Sequence, residues 1–183
     1  MCSHDSSALS GAAPGATVFE TGRLRGRRWV AHDLAALLAV YGDADAMRWV
    51  GDGRPLSADD AARWIEVTER NYAQRGYGMF ALEDRASGDV VGFAGIVHPG
   101  GQPEAEVKYA LARAHWGRGL ATEAVRALLH CAWRDFALRS VIATVSPQNL
   151  VSQRVLLASG MRLLHERTHD DGSRTLVFGC SAP

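Results

Sequence analysis

The chain has 183 residues, of which 47% are hydrophobic and 22% charged, the composition of a globular protein with one sizeable core. Its 20 Lys and Arg residues balance 20 Asp and Glu residues, so the formal net charge is zero. Because nucleic-acid-binding surfaces usually carry a strong basic bias, this balance argues against a nucleic-acid partner.

The three cysteines are Cys2, Cys131 and Cys180, and they are too far apart to match a metal-binding spacing or a disulfide framework. We therefore predict no metal site and a reducing, cytoplasmic setting. Cys131 falls inside a helical pattern and is predicted to be a small buried hydrophobe.

Membrane and targeting segments are not indicated, because no apolar run approaches the roughly 18 residues of a membrane span and the N-terminus lacks a signal-peptide pattern. We therefore expect no membrane partner. Residues 1–16 are rich in Ser, Ala and Gly and are predicted to form a mobile tail, followed by a single domain over 17–183.

Hydrophobic periodicity and turn signals predict eleven elements along the chain. In order, they are a strand over 18–30, helices over 33–41 and 57–74, strands over 78–84, 90–98 and 104–112, a helix over 119–137, a strand over 140–146, a helix over 149–158, and strands over 161–167 and 174–179. Asp33 and Ser57 are predicted N-caps, with Asp60 completing a capping box, and Gly160 is a predicted C-cap. This order predicts an α/β (α+β) fold with a mixed central sheet flanked by helices.

The most informative segment is His115–Ala124, between the strand over 104–112 and the following helix. Gly117 and Gly119 tolerate backbone conformations that let an anion approach main-chain N–H groups at the start of the helix, where the helix dipole favours negative charge. Arg118 adds a positive charge. The pattern favours a phosphate-bearing ligand, and a plain tight turn is the alternative. Thr122 replaces the third glycine of a dinucleotide loop, and the Gly-Lys-Ser/Thr of a Walker loop is absent.

The segment Trp116–Ala121 resembles the pyrophosphate-binding loop of the GNAT superfamily of acyl-CoA N-acyltransferases, which usually reads Gln/Arg-x-x-Gly-x-Gly/Ala. Gly119 and Ala121 match this loop. Trp116 replaces the Gln/Arg, as in the branch that resembles ribosomal-protein N-terminal acetyltransferases.

Two further blocks extend the resemblance to roughly residues 18–180. Asn149, Ser152 and Gly160 keep the register of the later helix on the cofactor side of this family. The stretch from Thr21 to Leu34 is similar to the opening strand and helix of the same branch.

The resemblance implies a GNAT-like fold with a mostly antiparallel sheet. It also implies an N-acetyltransferase that moves an acetyl group from acetyl-CoA to a primary amine, either a protein N-terminus or a small molecule, by direct attack. Dimers are frequent among such proteins, so a homodimer is a further expectation. The cofactor-binding residues implied are Tyr109, Ala110, Leu111, Trp116, Gly117, Arg118, Gly119, Leu120, Ala121, Thr122, Asn149 and Ser152. Asn149 would serve equally well as a plain helix cap.

Glu106 is the first candidate for the catalytic base, acting through water, because Glu106-Val-Lys-Tyr resembles the Glu-Ile-Gly-Tyr of the branch. The alternative is a solvated strand glutamate paired with Lys108 or an arginine. Glu104 is a weaker candidate, and His98 and His115 could act as bases but fit solvent-facing loop histidines better.

The proton donor that the family often uses for the leaving thiolate is a tyrosine, and Leu156 occupies its position here and cannot donate. Ser152, one turn earlier, is the predicted substitute, and a small residue for close helix packing is the alternative. The missing tyrosine also favours a rival function, a non-catalytic acyl-CoA-binding sensor. A structural phosphate-binding domain is a third possibility.

Substrate choice is expected to come from residues 47–54 and 77–80. Trp49 and Tyr77 are predicted to line the acceptor pocket. Trp64 either lines this pocket or packs in the core, and core packing is its expected role.

Overall fold

The computed structural model describes residues 13–50 and 53–183, so Gly51, Asp52 and most of the predicted tail over 1–16 lie outside the described residues. Over the described residues, eight strands and five α-helices follow one another along the chain. They are β1 (Thr17–Glu20), β2 (Leu24–Arg27), α1 (Leu34–Tyr41), α2 (Ala44–Met47), α3 (Ala58–Arg75), β3 (Met79–Asp84), β4 (Val90–Val97), β5 (Glu106–Leu111), α4 (Leu120–Arg134), β6 (Ser140–Val145), α5 (Leu150–Ala158), β7 (Arg162–Thr168) and β8 (Arg174–Ser181).

All eight strands form one sheet in the order β1-β2-β3-β4-β5-β6-β8-β7. Every neighbouring pair is antiparallel except β5 and β6, which are parallel. The predicted mixed, mostly antiparallel sheet flanked by helices is therefore confirmed. The parallel step arises because α4 carries the chain across the sheet between β5 and β6.

The predicted strand over 18–30 is wrong in one respect, because the chain reverses in its middle and forms the β1–β2 hairpin. Thr21 closes the turn: its hydroxyl accepts the Leu24 N–H at 2.8 Å and its own N–H donates to the Leu24 carbonyl at 2.8 Å. The ring of Phe19 on β1 lies where a side chain at Gly26 on β2 would be, so the glycine lets the two strands pair closely. Gly22 lies in this turn, but a lone glycine predicts a turn only weakly, and Gly26 in the same stretch lies within a strand.

Of the two predicted N-caps, Ser57 caps its helix in the structure and Asp33 does not. The capping box of Ser57 and Asp60 at the start of α3 is confirmed. Asp33 does not cap α1 with its side chain; its carboxylate instead accepts the Val30 N–H at 2.9 Å and a two-point ion pair from Arg27 at 2.8 and 2.9 Å. The short helix α2, capped by Asp43, was not predicted.

The core has two layers, one on each face of the sheet. On one face, Trp64 of α3 and Tyr41 of α1 pack against Phe93 of β4, with ring centroids 5.5 and 5.9 Å apart. On the other face, α4 packs against β4 and β5 through buried residues that include Leu128 and Cys131. Trp64 therefore takes its expected core role, and Cys131 is buried as predicted.

Within the described residues, the helices are too short or too polar for any of them to traverse a lipid bilayer.

Candidate active site

A wedge opens in the middle of the sheet, between the parallel strands β5 and β6. In the described part of the chain these strands are aligned at a single position, Glu106 with Ile142, where the Ile142 N–H donates to the Ala105 carbonyl at 2.8 Å. On its other side, β5 pairs with β4 along its whole length. Because β5 and β6 separate beyond Glu106, the edge of β5 that faces β6 is left open.

The direction of the backbone groups decides which residues of β5 face this wedge. The Ala112 N–H donates to the Val91 carbonyl at 2.9 Å, towards β4. Since the hydrogen-bonding side alternates along an antiparallel pair, the backbone groups of Ala110 also face β4, while those of Tyr109 and Leu111 face the wedge. Of the three backbone positions expected to bind pantetheine, two are therefore directed into the opening.

A glycine-rich loop lies at the mouth of the wedge, between β5 and α4. Gly117 and Gly119 adopt φ values of 71° and 75°, which residues with side chains rarely adopt. None of the described residues has an atom within 4 Å of the place where a Cβ at Gly117 would sit, so the loop is open on that side.

The start of α4 supplies hydrogen-bond donors next to this loop. The first bond of the helix runs from the Glu123 N–H to the Gly119 carbonyl at 3.1 Å. The N–H groups of Leu120, Ala121 and Thr122 therefore precede the helical ladder, as the first donors of any helix do. Together with the helix dipole, they make this end of α4 suited to an anion.

Trp116 ties the loop to the end of β5. Its indole N–H donates to the Leu111 carbonyl at 2.7 Å, although 47% of the residue remains exposed. One of the two backbone groups of Leu111 that face the wedge is thus already occupied. Trp116 therefore holds the loop against the end of β5, a role that the motif comparison did not indicate.

Glu106 lies at the apex of the wedge, where β5 and β6 meet, and it is only 2% exposed. Its Oε1 accepts hydrogen bonds from Lys108 Nζ and the Thr144 hydroxyl, and from the Thr144 N–H at 3.2 Å. Its Oε2 accepts from the side-chain amide of Gln102 at 3.1 Å. The alternative of a solvated glutamate is therefore wrong about solvation, whereas the pairing with Lys108 that it assumed is present.

The charge state of Glu106 follows from these contacts. Burial raises the pKa of Glu106, but the Lys108 charge and the hydrogen bonds from Lys108 and Thr144 outweigh burial and hold this pKa below the ordinary 4.5. The side chain is therefore an ionised carboxylate at neutral pH. It pins β6 to β5 through Thr144, 38 residues away in sequence.

The other candidate bases lie outside this cluster. Glu104 is exposed. His98 is half-buried between the Tyr77 hydroxyl and the Gln102 carbonyl, at 3.0 Å from each, so it supports Gln102 rather than Glu106 itself. His115 is 3.2 Å from Arg118 in the loop.

The start of α5 faces β5 through a pair of hydroxyl groups. The Asn149 side-chain oxygen accepts the Ser152 N–H at 3.1 Å, which is the helix cap that the sequence allowed. The Ser152 hydroxyl is 2.5 Å from the Tyr109 hydroxyl, and burial raises the pKa of Tyr109 to about 12. Leu156 is fully buried, with 1% exposure. The sequence indicated that Tyr109 binds the cofactor through its backbone alone, whereas in the structure its side-chain hydroxyl also contacts Ser152.

The sequence patterns did not single out Thr144 or Gln102, and they named Lys108 only as a possible ion-pair partner of Glu106. Thr144 alternates with the buried Ala143 and Val145 along β6, which reads as an ordinary strand position. A signal for its role exists only once β6 is placed beside β5.

Comparison with known proteins identifies the family of this chain. The family model of the acetyltransferase (GNAT) domain matches residues 23–162. The chain is 30% identical over 148 residues to the uncharacterized protein YkkB of Bacillus subtilis, covering 79% of this chain and 85% of YkkB.

Solved structures show the same fold. The acetyltransferase from Agrobacterium tumefaciens superposes with a TM-score of 0.74 at 28% identity, over 90% of this chain and 94% of that one. AAC(6')-Ib in complex with paromomycin and acetyl-CoA superposes with a TM-score of 0.69 at 21% identity, over 86% and 93% of the two chains. With the family match over most of its length, this chain belongs to the GNAT family and is an acetyl-CoA-dependent acetyltransferase.

Proposed function

We propose that the protein transfers the acetyl group of acetyl-CoA to a primary amine by direct attack, with the cofactor seated in the wedge between β5 and β6. The observation that carries this proposal is the separation of β5 from β6 directly beside the glycine loop. This separation leaves an open strand edge next to an anion-binding helix start.

The residues present fit acetyl-CoA along its length. The backbone groups of Tyr109 and the N–H of Leu111 would pair with the pantetheine arm, as an added strand does, while the Leu111 carbonyl stays bonded to Trp116. The N–H groups of Leu120, Ala121 and Thr122 would hold the pyrophosphate, with Trp116, Gly117, Arg118 and Gly119 forming the loop around it. Acetyl-CoA, when bound, supplies the thioester that the amine attacks. AAC(6')-Ib, of the same fold, has been solved with acetyl-CoA.

Glu106 is proposed as the group that accepts the proton of the amine, through water. The pKa of Glu106 lies below 4.5, whereas the α-amine of a peptide N-terminus has a pKa near 8 and a lysine-type amine a pKa near 10.4. Transfer to Glu106 is therefore uphill for both amines, and it costs about 3 kcal/mol more for the lysine-type amine. This difference favours acceptors with a weakly basic amine, such as a peptide N-terminus.

The hydroxyl pair of Ser152 and Tyr109 is proposed to donate a proton to the departing sulfur. Leu156 carries no proton to donate, and Ser152 and Tyr109 lie on the two elements, α5 and β5, that border this side of the wedge. Burial keeps the Tyr109 hydroxyl protonated across the neutral range. Asn149 fixes the position of Ser152 by capping α5 and need not touch the cofactor.

The acceptor is proposed to enter beside residues 47–50 and 77–80. Trp49 is 42% exposed and stacks under Arg48, 5.1 Å from its ring centre, which gives the acceptor an apolar surface with a cation nearby. Tyr77 is buried and its hydroxyl is hydrogen-bonded to His98, so it supports the acceptor region from the protein interior.

A thiol-release assay with acetyl-CoA and a panel of amines tests the proposal, with free amino acids, peptide N-termini and lysine-type amines compared at equal concentration. We expect turnover to be fastest with the peptide N-termini, whose amines are the least basic of the three. Failure of acetyl-CoA to bind or to raise the melting temperature would overturn the cofactor site. Tight binding without turnover on any amine would favour the acyl-CoA sensor instead.

A further inference from the structure

An ion pair behind the glycine loop joins the β1–β2 hairpin to the first turn of α4. Arg23, in the hairpin turn, donates from its backbone N–H to Glu123 Oε1 at 3.0 Å and from Nε to Oε2 at 2.7 Å. Its Nη2 lies 2.6 Å from the same Oε2. The remaining nitrogen, Nη1, donates to the carbonyl of Arg118 at 2.8 Å.

These contacts involve the loop itself. Arg118 lies between the two glycines of left-handed conformation, and Arg23 Nη2 is 3.6 Å from the place where a Cβ at Gly119 would sit. The guanidinium thus stands directly behind the Arg118–Gly119 peptide. All three of its nitrogens are already engaged by Glu123 and Arg118, so a phosphate is not needed to explain its position.

The negative charge of Glu123 lies close to the proposed phosphate site and is balanced by Arg23. A carboxylate in the first turn of a helix is stabilised by the helix dipole, but it repels any other anion that binds to the first N–H groups of that helix. Glu123 is only 19% exposed, so its charge is poorly screened by water. The ion pair with Arg23 neutralises that charge.

The bond to the Arg118 carbonyl has a second consequence. In a trans peptide the C=O and the next N–H point in opposite directions. Because Arg23 holds the Arg118 carbonyl towards the hairpin, the Gly119 N–H points away from Arg23, to the opposite side of the loop. A peptide held in this orientation cannot turn its carbonyl oxygen, a partial negative charge, towards a bound phosphate.

We propose that Arg23 is a positioning residue for the pyrophosphate of the cofactor: it touches no phosphate, but it cancels the charge of Glu123 and fixes the orientation of the Arg118–Gly119 peptide. This inference rests on the proposed cofactor site at the glycine loop.

The test compares the variants R23Q, E123Q and R23Q/E123Q by calorimetric titration with CoA and with pantetheine, which lacks the pyrophosphate. We expect R23Q to weaken CoA binding by about tenfold, with a smaller loss at high salt, and to leave pantetheine binding unchanged. The double variant should regain part of the loss, because the uncompensated carboxylate is gone. Arg23→Lys should keep the neutralisation but lose the carbonyl bond, and therefore fall between wild type and R23Q.

Arg25→Gln is the matched control. Arg25 lies on the same hairpin, is 39% exposed and pairs with Glu20 and Glu83 rather than with the loop. It should lower stability without changing CoA affinity.

Three results would overturn the positioning role: equal CoA affinity in R23Q and wild type, equal losses in R23Q and Arg25→Gln, or no recovery in the double variant. Absence of CoA binding in the wild type would instead refute the proposed function, so the two failures are distinguishable.

Discussion

Replacing Glu106 with glutamine separates the catalytic role of this residue from its structural role. The change removes one negative charge from the apex of the wedge while keeping the size of the side chain. A glutamine oxygen in place of Oε1 can still accept from Lys108 and Thr144, but an NH₂ in place of Oε2 cannot accept from Gln102, and the negative charge beside Lys108 is lost.

The cost in stability can be worked from these contacts. A hydrogen bond to a charged group contributes about 1.5–3 kcal/mol. Lys108 is 39% exposed, so water stabilises part of the ammonium charge that has lost its ionic partner and reduces the loss. We therefore expect Glu106→Gln to destabilise the protein by about 2 kcal/mol. For a chain of this length that corresponds to a melting temperature lower by about 4–8 °C.

The stability difference depends on pH in a direction fixed by the lowered pKa of Glu106. The folded state holds this carboxylate ionised at pH values where the unfolded chain, with a pKa near 4.5, begins to take up a proton. The stabilisation is therefore fully present above the unfolded value and is lost as pH falls through the folded one. The gap between wild type and Glu106→Gln should be constant near neutrality and narrow in acid.

The effect on activity is larger if Glu106 accepts the proton of the amine. General bases contribute about 10²–10⁴-fold, so kcat in the thiol-release assay should fall by about that factor while the affinity for acetyl-CoA is retained. Glu104→Gln is the matched control, because Glu104 is exposed two residues away and should alter neither quantity. Wild-type kcat in Glu106→Gln, together with the lower melting temperature, would refute the base role and leave Glu106 as a structural pin between β5 and β6.

Three further substitutions test other parts of the site. Gly119→Ala places a side chain at φ 75°, which should destabilise the protein by about 1 kcal/mol and weaken CoA binding by about tenfold. Gly172→Ala, at φ 79° in the β7–β8 turn, is the control and should lose the same stability without losing CoA affinity. Equal CoA affinities in the two variants would contradict the assignment of the loop to the cofactor. Tyr109→Phe should lower kcat by about tenfold or more. Adding Ser152→Ala should lower kcat little further, because the two hydroxyls act as one unit. If the double variant instead shows the product of the two single losses in kcat, the hydroxyls act separately. Leu156→Tyr should overpack a fully buried position and destabilise the protein by about 1–3 kcal/mol without faster turnover, so a gain in kcat would show that this position faces the sulfur.

Local features of this protein were predictable from the sequence because they depend on a few neighbouring residues. The capping box of Ser57 and Asp60 spans one helical turn, and the left-handed conformations of Gly117 and Gly119 follow from the absence of a Cβ. The alternation of polar and apolar residues likewise indicated most of the strands. It failed in the β1–β2 hairpin, where the turn at Thr21 is closed by hydrogen bonds to Leu24 that the hydrophobic pattern does not reveal.

The contacts that make the site were decided by the tertiary structure alone. Thr144 reaches Glu106 across 38 residues, Ser152 reaches Tyr109 across 43, and Glu123 reaches Arg23 across 100. None of these pairs has a local signature, because a buried charge or hydroxyl is satisfied by whichever group the neighbouring strand or helix brings within hydrogen-bond distance. The sequence by itself predicted a glycine loop followed by a helix start, a combination suited to an anion. Only the divergence of β5 from β6, which depends on α4 carrying the chain across the sheet, decided that an open strand edge would run from that loop to a buried carboxylate at the other end of β5.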